Sequence, residues 1–318
     1  MVIKLGVLMD PIATINPKKD STLAMMLAAQ TKGWQIYQFE QDGLYIQDGE
    51  VHVQCQQIEV FDDLECWYHT IEPHKFPISS LSAVLLRKDP PFDMEYIYST
   101  YLLEMAETLG TPVLNRPGSI RDCNEKLFAL QFPQCCPPHV VSRNPEILKE
   151  FHEVHGDVVY KPLDGMGGTS IFHVKPGDSN RSVIIETLTN HGLQQTMAQK
   201  YIPEIKAGDT RILMINGEPV PYGLARVPAK GESRGNLAAG GEGIGRELND
   251  RDLWICEQVA PSLKERGLYF VGIDVIGEYL TEINVTCPTC IRELDSSFGL
   301  DIAGDYMNFI DKEIFNPG

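Results

Sequence analysis

Two carboxylates and one amide near the end of the chain stand in a pattern that could bind a metal ion. In residues 270–285 apolar side chains alternate with Asp274, Glu282 and Asn284. If a three-residue turn at 277–279 joins two strands, Asp274 lies opposite Glu282, and Asn284 lies two residues along the same face. Two facing carboxylates repel each other unless a cation lies between them, and hard oxygen ligands suit Mg²⁺. The alternative is a solvated acidic face of a hairpin.

A second pattern could bind phosphate. An apolar strand at 158–161 ends in Lys161 and is followed by Gly165, Gly167 and Gly168. Glycine N–H groups can approach anionic oxygens closely, and the lysine adds positive charge. The lysine precedes the glycines and a strand follows them, so neither the Walker loop nor the dinucleotide fingerprint fits. A plain glycine hairpin is the alternative, but together with the metal hairpin the loop favours a nucleotide phosphate held by lysine and Mg²⁺.

A long glycine-rich segment, residues 227–247, has the composition of a flexible loop. Structureless loops of this length are typical of lids and binding loops. With Arg234 and Asn236 among its glycines, the loop could close over a reactive intermediate and exclude water. A mobile linker is the alternative.

The remaining motifs favour no other chemistry. Cys287 and Cys290 have the spacing of a redox or zinc pair, but no second pair or nearby histidine completes a tetrahedral site, which predicts a structural turn. The histidines form no ligand cluster, and no Gly-x-Ser-x-Gly elbow is present.

These motifs need elements that position them. The first third alternates strand and helix signals (strands at 5–9, 34–39, 82–86 and 112–114, helices ending at 33 and near 109), which predicts a mostly parallel sheet. A helix at about 119–130 and a stretch rich in Pro and Cys lead to a second unit. A third unit has strands at 211–215 and 268–276, a turn at 216–217, and a helix at 250–266.

Length and charge narrow the class of protein. A chain of 318 residues predicts two or three domains. Its formal net charge of −17 disfavours nucleic acid and membrane partners. No apolar run is long enough to span a bilayer and no secretory signal is evident, so we expect a cytoplasmic protein whose eight cysteines are free thiols.

At this point the chain resembles the bacterial glutathione synthetases within the ATP-grasp ligases. The matching segments are RKDPPFD (87–93), RDCNEKL (121–127), KPLDGMGG (161–168), RGNLAAGG (234–241) and LTEINVT (280–286). They occur in the family's order over nearly the whole chain. The resemblance implies an ATP-grasp α/β fold with a parallel N-terminal α/β domain (1–125), a small α+β lid domain (126–203) and a C-terminal α+β domain (204–318) that carries the flexible loop 227–247.

The resemblance also implies a reaction: γ-glutamylcysteine is joined to glycine while ATP is cleaved to ADP and phosphate, through an acyl phosphate. Cofactors would be ATP and Mg²⁺, or alternatively Mn²⁺, and the assembly a homotetramer. Cys287 stands where the family pattern leads us to expect serine, which could change peptide affinity but not the reaction class.

Residue roles follow from the same resemblance. The implied catalytic residues are Arg211 and Arg234. The implied nucleotide-binding residues are Lys126, Lys161, Gly165, Gly167, Gly168, Gln199, Lys200, Tyr201, Ile202 and Asp209. The implied substrate-binding residues are Ser21, Arg87, Arg226, Asn236, Gly240 and Arg292. The metal ligands would be Asp274, Glu282 and Asn284.

Two other functions stay open at this stage. Another ATP-grasp carboxylate–amine ligase would share the lysines, the loop and the metal hairpin. A nucleotide-binding regulatory or scaffold protein could keep the fold without turnover, although the retained Lys126, Lys161, Asp274 and Glu282 count against it.

Overall fold

The first sheet is built by the N-terminal part of the chain. The protein is described here by a computed structural model that covers residues 2–165, 167–229 and 241–316. The sheet strands are β1 (Lys4–Leu8), β2 (Gln35–Phe39), β3 (Leu44–Gln47), β4 (Glu50–Val60), β5 (Tyr68–Pro77), β6 (Ala83–Leu86) and β7 (Val113–Leu114). They lie in the order β3-β4-β2-β1-β6-β7, and β5 pairs with β4.

The parallel part of this sheet was predicted. β1 pairs in parallel with β2 and β6, and β6 pairs in parallel with β7. The prediction of a mostly parallel sheet was nevertheless incomplete, because β3, β4 and β5 add an antiparallel extension. Parallel strands end at one edge of a sheet, and Arg87 directly follows β6 at that edge.

Side-chain caps fix the helices of this region. α1 (Ser21–Thr31) begins where Asp20 accepts a hydrogen bond from Leu23 N at 2.6 Å, and α2 (Met94–Thr108) begins at Asp93 in the same way. The predicted single helix at 119–130 is wrong. The chain forms α3 (Pro117–Asp122) and α4 (Glu125–Ala129), because Asn124 accepts from two backbone N–H groups and starts a new helix.

A four-stranded antiparallel sheet forms the second unit. Its strands are β8 (His139–Ser142), β9 (Val158–Pro162), β10 (Phe172–Val174) and β11 (Thr196–Lys200), in the order β10-β9-β11-β8. The helices α5 (Pro145–His155) and α6 (Arg181–Leu188) accompany it. Their contact with the sheet forms a small separate core around Leu148, Tyr160 and Ile185. β8 and α5 were not predicted.

The third unit has a five-stranded antiparallel sheet in the order β14-β13-β12-β15-β16. Its elements are β12 (Asp209–Ile215), β13 (Glu218–Val227), β14 (Glu242–Glu247), α7 (Asp250–Glu265), β15 (Phe270–Ile276) and β16 (Tyr279–Asn284). The chain then forms α8 (Ile291–Phe298), α9 (Ile302–Phe309) and a π-helical turn (Ile310–Phe315). The predicted turn at Asn216 and Gly217 is confirmed, since both residues have positive φ.

The predicted loop at 227–247 is too long. Its last part is β14, which pairs with β13 from Tyr222 to Val227. Residues 230–240 lie outside the described residues.

Buried contacts fix the β15–β16 hairpin against the first unit. Asn115, directly after β7, donates through Nδ2 to the carbonyl oxygens of Phe270 and Val285, both at 2.8 Å. Its Oδ1 accepts from Phe270 N at 2.9 Å. One hydrophobic core also spans the first and third units and includes Tyr96 and Ile273. Buried hydrogen bonds and apolar packing therefore hold the open end of the hairpin, opposite its turn.

All eight cysteines lie in the described part of the chain and none is paired, which confirms the free thiols. Among residues 2–165, 167–229 and 241–316, no helix combines the length and the apolar character that crossing a bilayer would require.

Candidate active site

The β15–β16 hairpin brings its polar residues together as predicted. Asp274 pairs with Glu282, and Gly272 pairs with Asn284. The predicted three-residue turn is wrong, because Ile276 pairs with Tyr279 and only Gly277 and Glu278 lie between them. A bulge at Thr281 supplies the missing residue, so the pairing of the two carboxylates is kept.

Two arginines hold Asp274. Arg211 lies opposite Asp274 on β12 and donates to its carboxylate through Nε at 2.5 Å and Nη2 at 3.0 Å. Arg226 Nη2 lies 3.0 Å from Asp274 Oδ2, and Asn284 Nδ2 donates to the same oxygen at 3.1 Å. Burial opposes the ionisation of Asp274, but the two guanidinium groups outweigh it and lower its pKa to about 2.

The pKa of Asp209 is shifted in the opposite direction to that of Asp274. It forms an ion pair with Arg226, yet its Oδ1 is buried and has no hydrogen-bond partner. Burial, together with the nearby carboxylates of Asp274 and Glu282, raises the pKa of Asp209 to about 6. An unpaired acceptor of this kind is suited to a ligand hydroxyl.

A buried lysine links the hairpin to the glycine loop. Lys126 Nζ lies 2.6 Å from Glu125 Oε1, 3.0 Å from the carbonyl oxygen of Gly165 and 3.6 Å from Glu282 Oε1. Lys161, on β9, is 5% exposed, and burial lowers its pKa. The ammonium groups of these two lysines thus lie among the carboxylates rather than in bulk solvent.

These groups line one cavity of about 390 Å³ between the second and third sheets, except Lys126, which instead contacts the lining residues Glu125, Gly165 and Glu282. Most of the residues singled out by sequence line it: Lys161, Gly165, Gly167, Gly168, Gln199, Tyr201, Ile202, Asp209, Arg211, Arg226, Asp274, Glu282 and Asn284. The lining of the cavity differs between its two ends. One end has apolar and aromatic walls, and the other has paired charges, which is the arrangement expected for a ligand with a flat apolar part and an anionic tail.

Other candidate residues lie elsewhere. Lys200 is exposed on β11 and does not line the cavity. Ser21 Oγ accepts from Ile291 N at 3.3 Å, and buried Arg87 donates to the carbonyl oxygen of Pro288 at 2.9 Å. Arg292 borders a second cavity beside α1 and pairs with Asp62 at 2.8 Å. Arg234, Asn236 and Gly240 are outside the described residues.

The cavity also contains residues that sequence reasoning missed. His173 stacks on Tyr201 with ring centroids 3.8 Å apart and an interplanar angle of 10°. Glu125 and Asp89 line the wall, and Cys287 is beside them. Burial raises the pKa of the Cys287 thiol well above its usual value, so the thiol stays protonated. Asp89 and Glu125 lie in the segments that carry the family resemblance and Cys287 stands in place of its expected serine, whereas His173 had no signal in the sequence.

The oxygen donors fit a hard divalent cation. Asp274 and Glu282 present carboxylates and Asn284 an amide on one face of the hairpin. Among residues 2–165, 167–229 and 241–316, no three His, Cys, Asp or Glu side chains converge into a complete metal cage. In Mg²⁺ sites one or two carboxylates typically hold the ion, and phosphate oxygens and water complete its coordination.

Comparison with known proteins now identifies the family. The profile of the prokaryotic glutathione synthetase N-terminal domain matches residues 3–121, and that of the prokaryotic glutathione synthetase ATP-grasp domain matches residues 125–308. The chain belongs to the prokaryotic glutathione synthetase family. It is 58% identical over 314 residues to a glutathione synthetase of Pseudomonas putida, with 99% of both chains covered. It is 55% identical over 314 residues to one of Vibrio vulnificus, again with 99% of both covered.

Solved structures support the ATP-grasp fold of this glutathione synthetase family member. The D-cycloserine synthetase DcsG superposes with a TM-score of 0.69 at 14% identity, covering 98% of this chain and 99% of that chain. The ATP-grasp ligase PsnB, complexed with a minimal precursor, Mg and ADP, gives a TM-score of 0.62 at 16% identity, with 98% of both chains covered. The chain is therefore an ATP-dependent ligase of the ATP-grasp fold, a class that uses ATP and a divalent metal ion.

Proposed function

We propose that this chain joins γ-glutamylcysteine to glycine and cleaves ATP to ADP and phosphate. One observation carries the proposal: Lys161 and the β15–β16 hairpin line a single cavity, and buried Lys126 contacts the lining residues Glu125 and Glu282, in a chain 58% identical over 314 residues to a glutathione synthetase. The carboxylate of the dipeptide is a poor electrophile. Phosphorylation to an acyl phosphate would let the glycine amine attack it, with phosphate as the leaving group.

The nucleotide would lie along the second sheet. Lys126, Lys161 and the loop glycines Gly165, Gly167 and Gly168 would bind the phosphates. The adenine would lie at the apolar end of the cavity, beside Gln199, Tyr201 and Ile202. The side chain of Lys200 is exposed, so Lys200 would contribute to adenine binding through its backbone. The unpaired Oδ1 of Asp209 would accept from a ribose hydroxyl.

Asp274, Glu282 and Asn284 would hold Mg²⁺ or Mn²⁺. When bound, the ion would neutralise charge on the phosphate tail and on the phosphoryl group in transfer. The protein's own part is to keep Asp274 ionised and aligned. Arg211 and Arg226 do this through three short contacts to the two oxygens of Asp274, and Arg226 also pairs with Asp209.

Arg211 would face the phosphoryl group and the acyl phosphate, and Arg226 would help to bind the reacting carboxylate. Both are buried at the charged end of the cavity. Arg234, Asn236 and Gly240 are proposed on the family resemblance alone. Arg87 and Ser21 would hold the dipeptide, and Arg292 would act indirectly, since its Nε donates to the carbonyl oxygen of Asp20.

We also propose a cytoplasmic location and a homotetrameric assembly. The family resemblance supports both, and the absence of a bilayer-crossing helix among the described residues agrees with the first.

Release of phosphate tests the substrate assignment. With ATP and Mg²⁺, we expect γ-glutamylcysteine plus glycine to stimulate phosphate release at least tenfold over either compound alone, with glutathione formed in equal amount. Pairs of other amino acids, including two D-alanines, serve as the matched comparison. Stimulation by another pair, without any by γ-glutamylcysteine and glycine, would identify a different ligase, and ATP binding without any amide product would support a regulatory protein.

A second prediction tests the position of Arg211. A Cβ on Gly272 would lie 2.7 Å from Arg211 Cδ and 3.1 Å from Pro288 Cβ. Gly272→Ala should therefore displace the guanidinium group and lower kcat by about tenfold or more, because small misplacements in an active site cost up to ~10²-fold. The control is Gly118→Ala, whose Cβ would approach closely only the flexible carboxylate of Glu104. Steady-state kinetics should separate the two, and an equal loss in both would argue against the assignment.

A further inference from the structure

The outer face of α2 carries a row of exposed apolar side chains. Met94, Tyr98, Tyr101, Met105 and Leu109 have exposed fractions of 54%, 49%, 50%, 39% and 62%. Their spacing of four, three, four and four residues places them along one face of the helix and its last turn. We call this row the α2 stripe. The opposite face of α2 is buried against the first sheet, so the stripe points away from the core.

An exposed apolar row is unexpected on this chain. With a net charge of −17 the surface is strongly acidic, yet none of the five stripe positions is charged. Contiguous apolar patches on soluble proteins mark interaction sites more often than chance exposure. The stripe therefore calls for a partner surface that is also apolar.

The order of residues in the stripe is close to symmetric about Tyr101. If two α2 helices crossed antiparallel, Met94 would face Leu109 of the partner subunit and Tyr98 would face Met105 of the partner subunit. Tyr101 would meet its own counterpart near the two-fold axis. This is the property that an isologous two-fold interface requires, because contact of residue i with residue j is repeated as j with i. The stripe is thus complementary to a second copy of itself.

The chemistry of these contacts is favourable. The thioether of Met105 would pack on a tyrosine ring, and the two Tyr101 rings could stack. Arg121 already lies 4.4 Å from the centroid of the Tyr101 ring and pairs with Glu104, so these two charges beside the stripe neutralise each other within one subunit.

The stripe supplies more than half of the area that a standard interface takes from one partner. Large side chains offer about 150–250 Å² each, so five that are about half exposed bury roughly 500 Å² per copy. A standard interface takes about 800 Å² from each partner, and the stripe would supply its apolar centre.

We propose that the α2 stripe is a self-association surface through which two copies of this chain pair antiparallel about a two-fold axis. This names one interface of the homotetramer proposed above and rests on that assembly. A tetramer of two-fold symmetry needs a second, different interface, so loss of the stripe contact should leave dimers.

Charged substitutions at two facing positions test the pairing. Tyr98→Glu and Met105→Lys, made separately, should each weaken association at least tenfold. The double variant Tyr98→Glu/Met105→Lys should restore it to within a few-fold of the wild type, because each carboxylate then faces a lysine of the partner subunit. A parallel arrangement would place like charges together and give no rescue. The control is Val154→Glu, an apolar position on α5 that is even more exposed, at 77%.

Sedimentation velocity over a concentration series gives the oligomeric state, and circular dichroism with specific activity checks folding. Should a charged variant fail to fold, Tyr98→Ala and Met105→Ala replace it, with the same expected weakening but no rescue arm. A wild type that is monomeric at all concentrations overturns both the tetramer and the stripe. A tetramer that persists in every variant overturns only the proposal that the stripe is a self-association surface. Weakening by Val154→Glu to the same extent, or failure of the double variant to recover, also overturns the antiparallel pairing.

Discussion

Glu282→Gln should lower kcat for glutathione formation by about 10²–10³-fold, with the free energy of unfolding changed by less than about 1 kcal/mol. The substitution keeps the size of the side chain and removes only its charge. The contact of Glu282 that would be lost is with Lys126, at 3.6 Å, and Lys126 keeps Glu125 at 2.6 Å and the Gly165 carbonyl at 3.0 Å. The structure thus provides little reason for instability and a strong one for loss of metal binding.

The matched control lies on the same hairpin. Glu278 is exposed in the two-residue turn, and Glu278→Gln removes the same charge from the chain without touching the cavity. Measurements of kcat at increasing Mg²⁺ and Mn²⁺, together with urea denaturation, distinguish the outcomes. We expect the apparent affinity for the ion to fall in Glu282→Gln alone. Normal turnover of this variant at limiting Mg²⁺ would contradict the proposed role.

The carboxylate hairpin could be predicted because a strand alternates its faces with a period of two. Asp274, Glu282 and Asn284 fall on one face whatever the details of the turn, provided that Asp274 and Glu282 pair. The bulge at Thr281 was not predictable from this rule. A two-residue turn without the bulge would have shifted the register by one residue and sent the carboxylates to different faces.

The partners of Asp274 depend on contacts distant in sequence. Arg211 reaches it because β12 pairs with β15, 63 residues away in the chain, and no local pattern in the sequence indicates that pairing. β14 was not predicted for the same reason, since its Gly243 and Gly245 have low strand propensity. It forms because it pairs with β13 and because Gly245 lies against the Phe298 ring, where a Cβ would lie 2.4 Å from the nearest ring carbon.

Within the antiparallel extension, β5 was missed for a related reason. β5 is largely exposed and contains Pro73, so it lacks the alternating burial that reveals a half-buried strand. Its existence follows from pairing with β4 rather than from its own composition.

Asp274→Asn should abolish turnover and also destabilise the fold, by about 3–5 kcal/mol, which separates it from Glu282→Gln. Asp274 is 2% exposed and is shared by Arg211 and Arg226, so removing its charge leaves two buried guanidinium groups with too little negative charge around them. Asparagine can still accept a hydrogen bond but cannot neutralise them. Chemical denaturation at pH 7 measures the loss.

The pH dependence of stability gives the sign of this contribution. The pKa of Asp274 is lowered to about 2 in the folded chain, against about 4 when unfolded, so its stabilisation is present above about pH 4 and is lost as the pH falls towards 2. Asp274→Asn should lack that acid-induced loss.

Asp209→Asn is the control in the same cavity, because the pKa of Asp209 is raised to about 6. The folded chain loses stability from this group as the pH rises from about 4 through 6, so Asp209→Asn should be neutral or stabilising at pH 7. Arg226 would keep Asp274 as its partner in that variant. If Asp209→Asn lowered the free energy of unfolding as much as Asp274→Asn, both carboxylates of the charge network would contribute equally to stability. The assignment of Asp274 as its central anion would then be wrong.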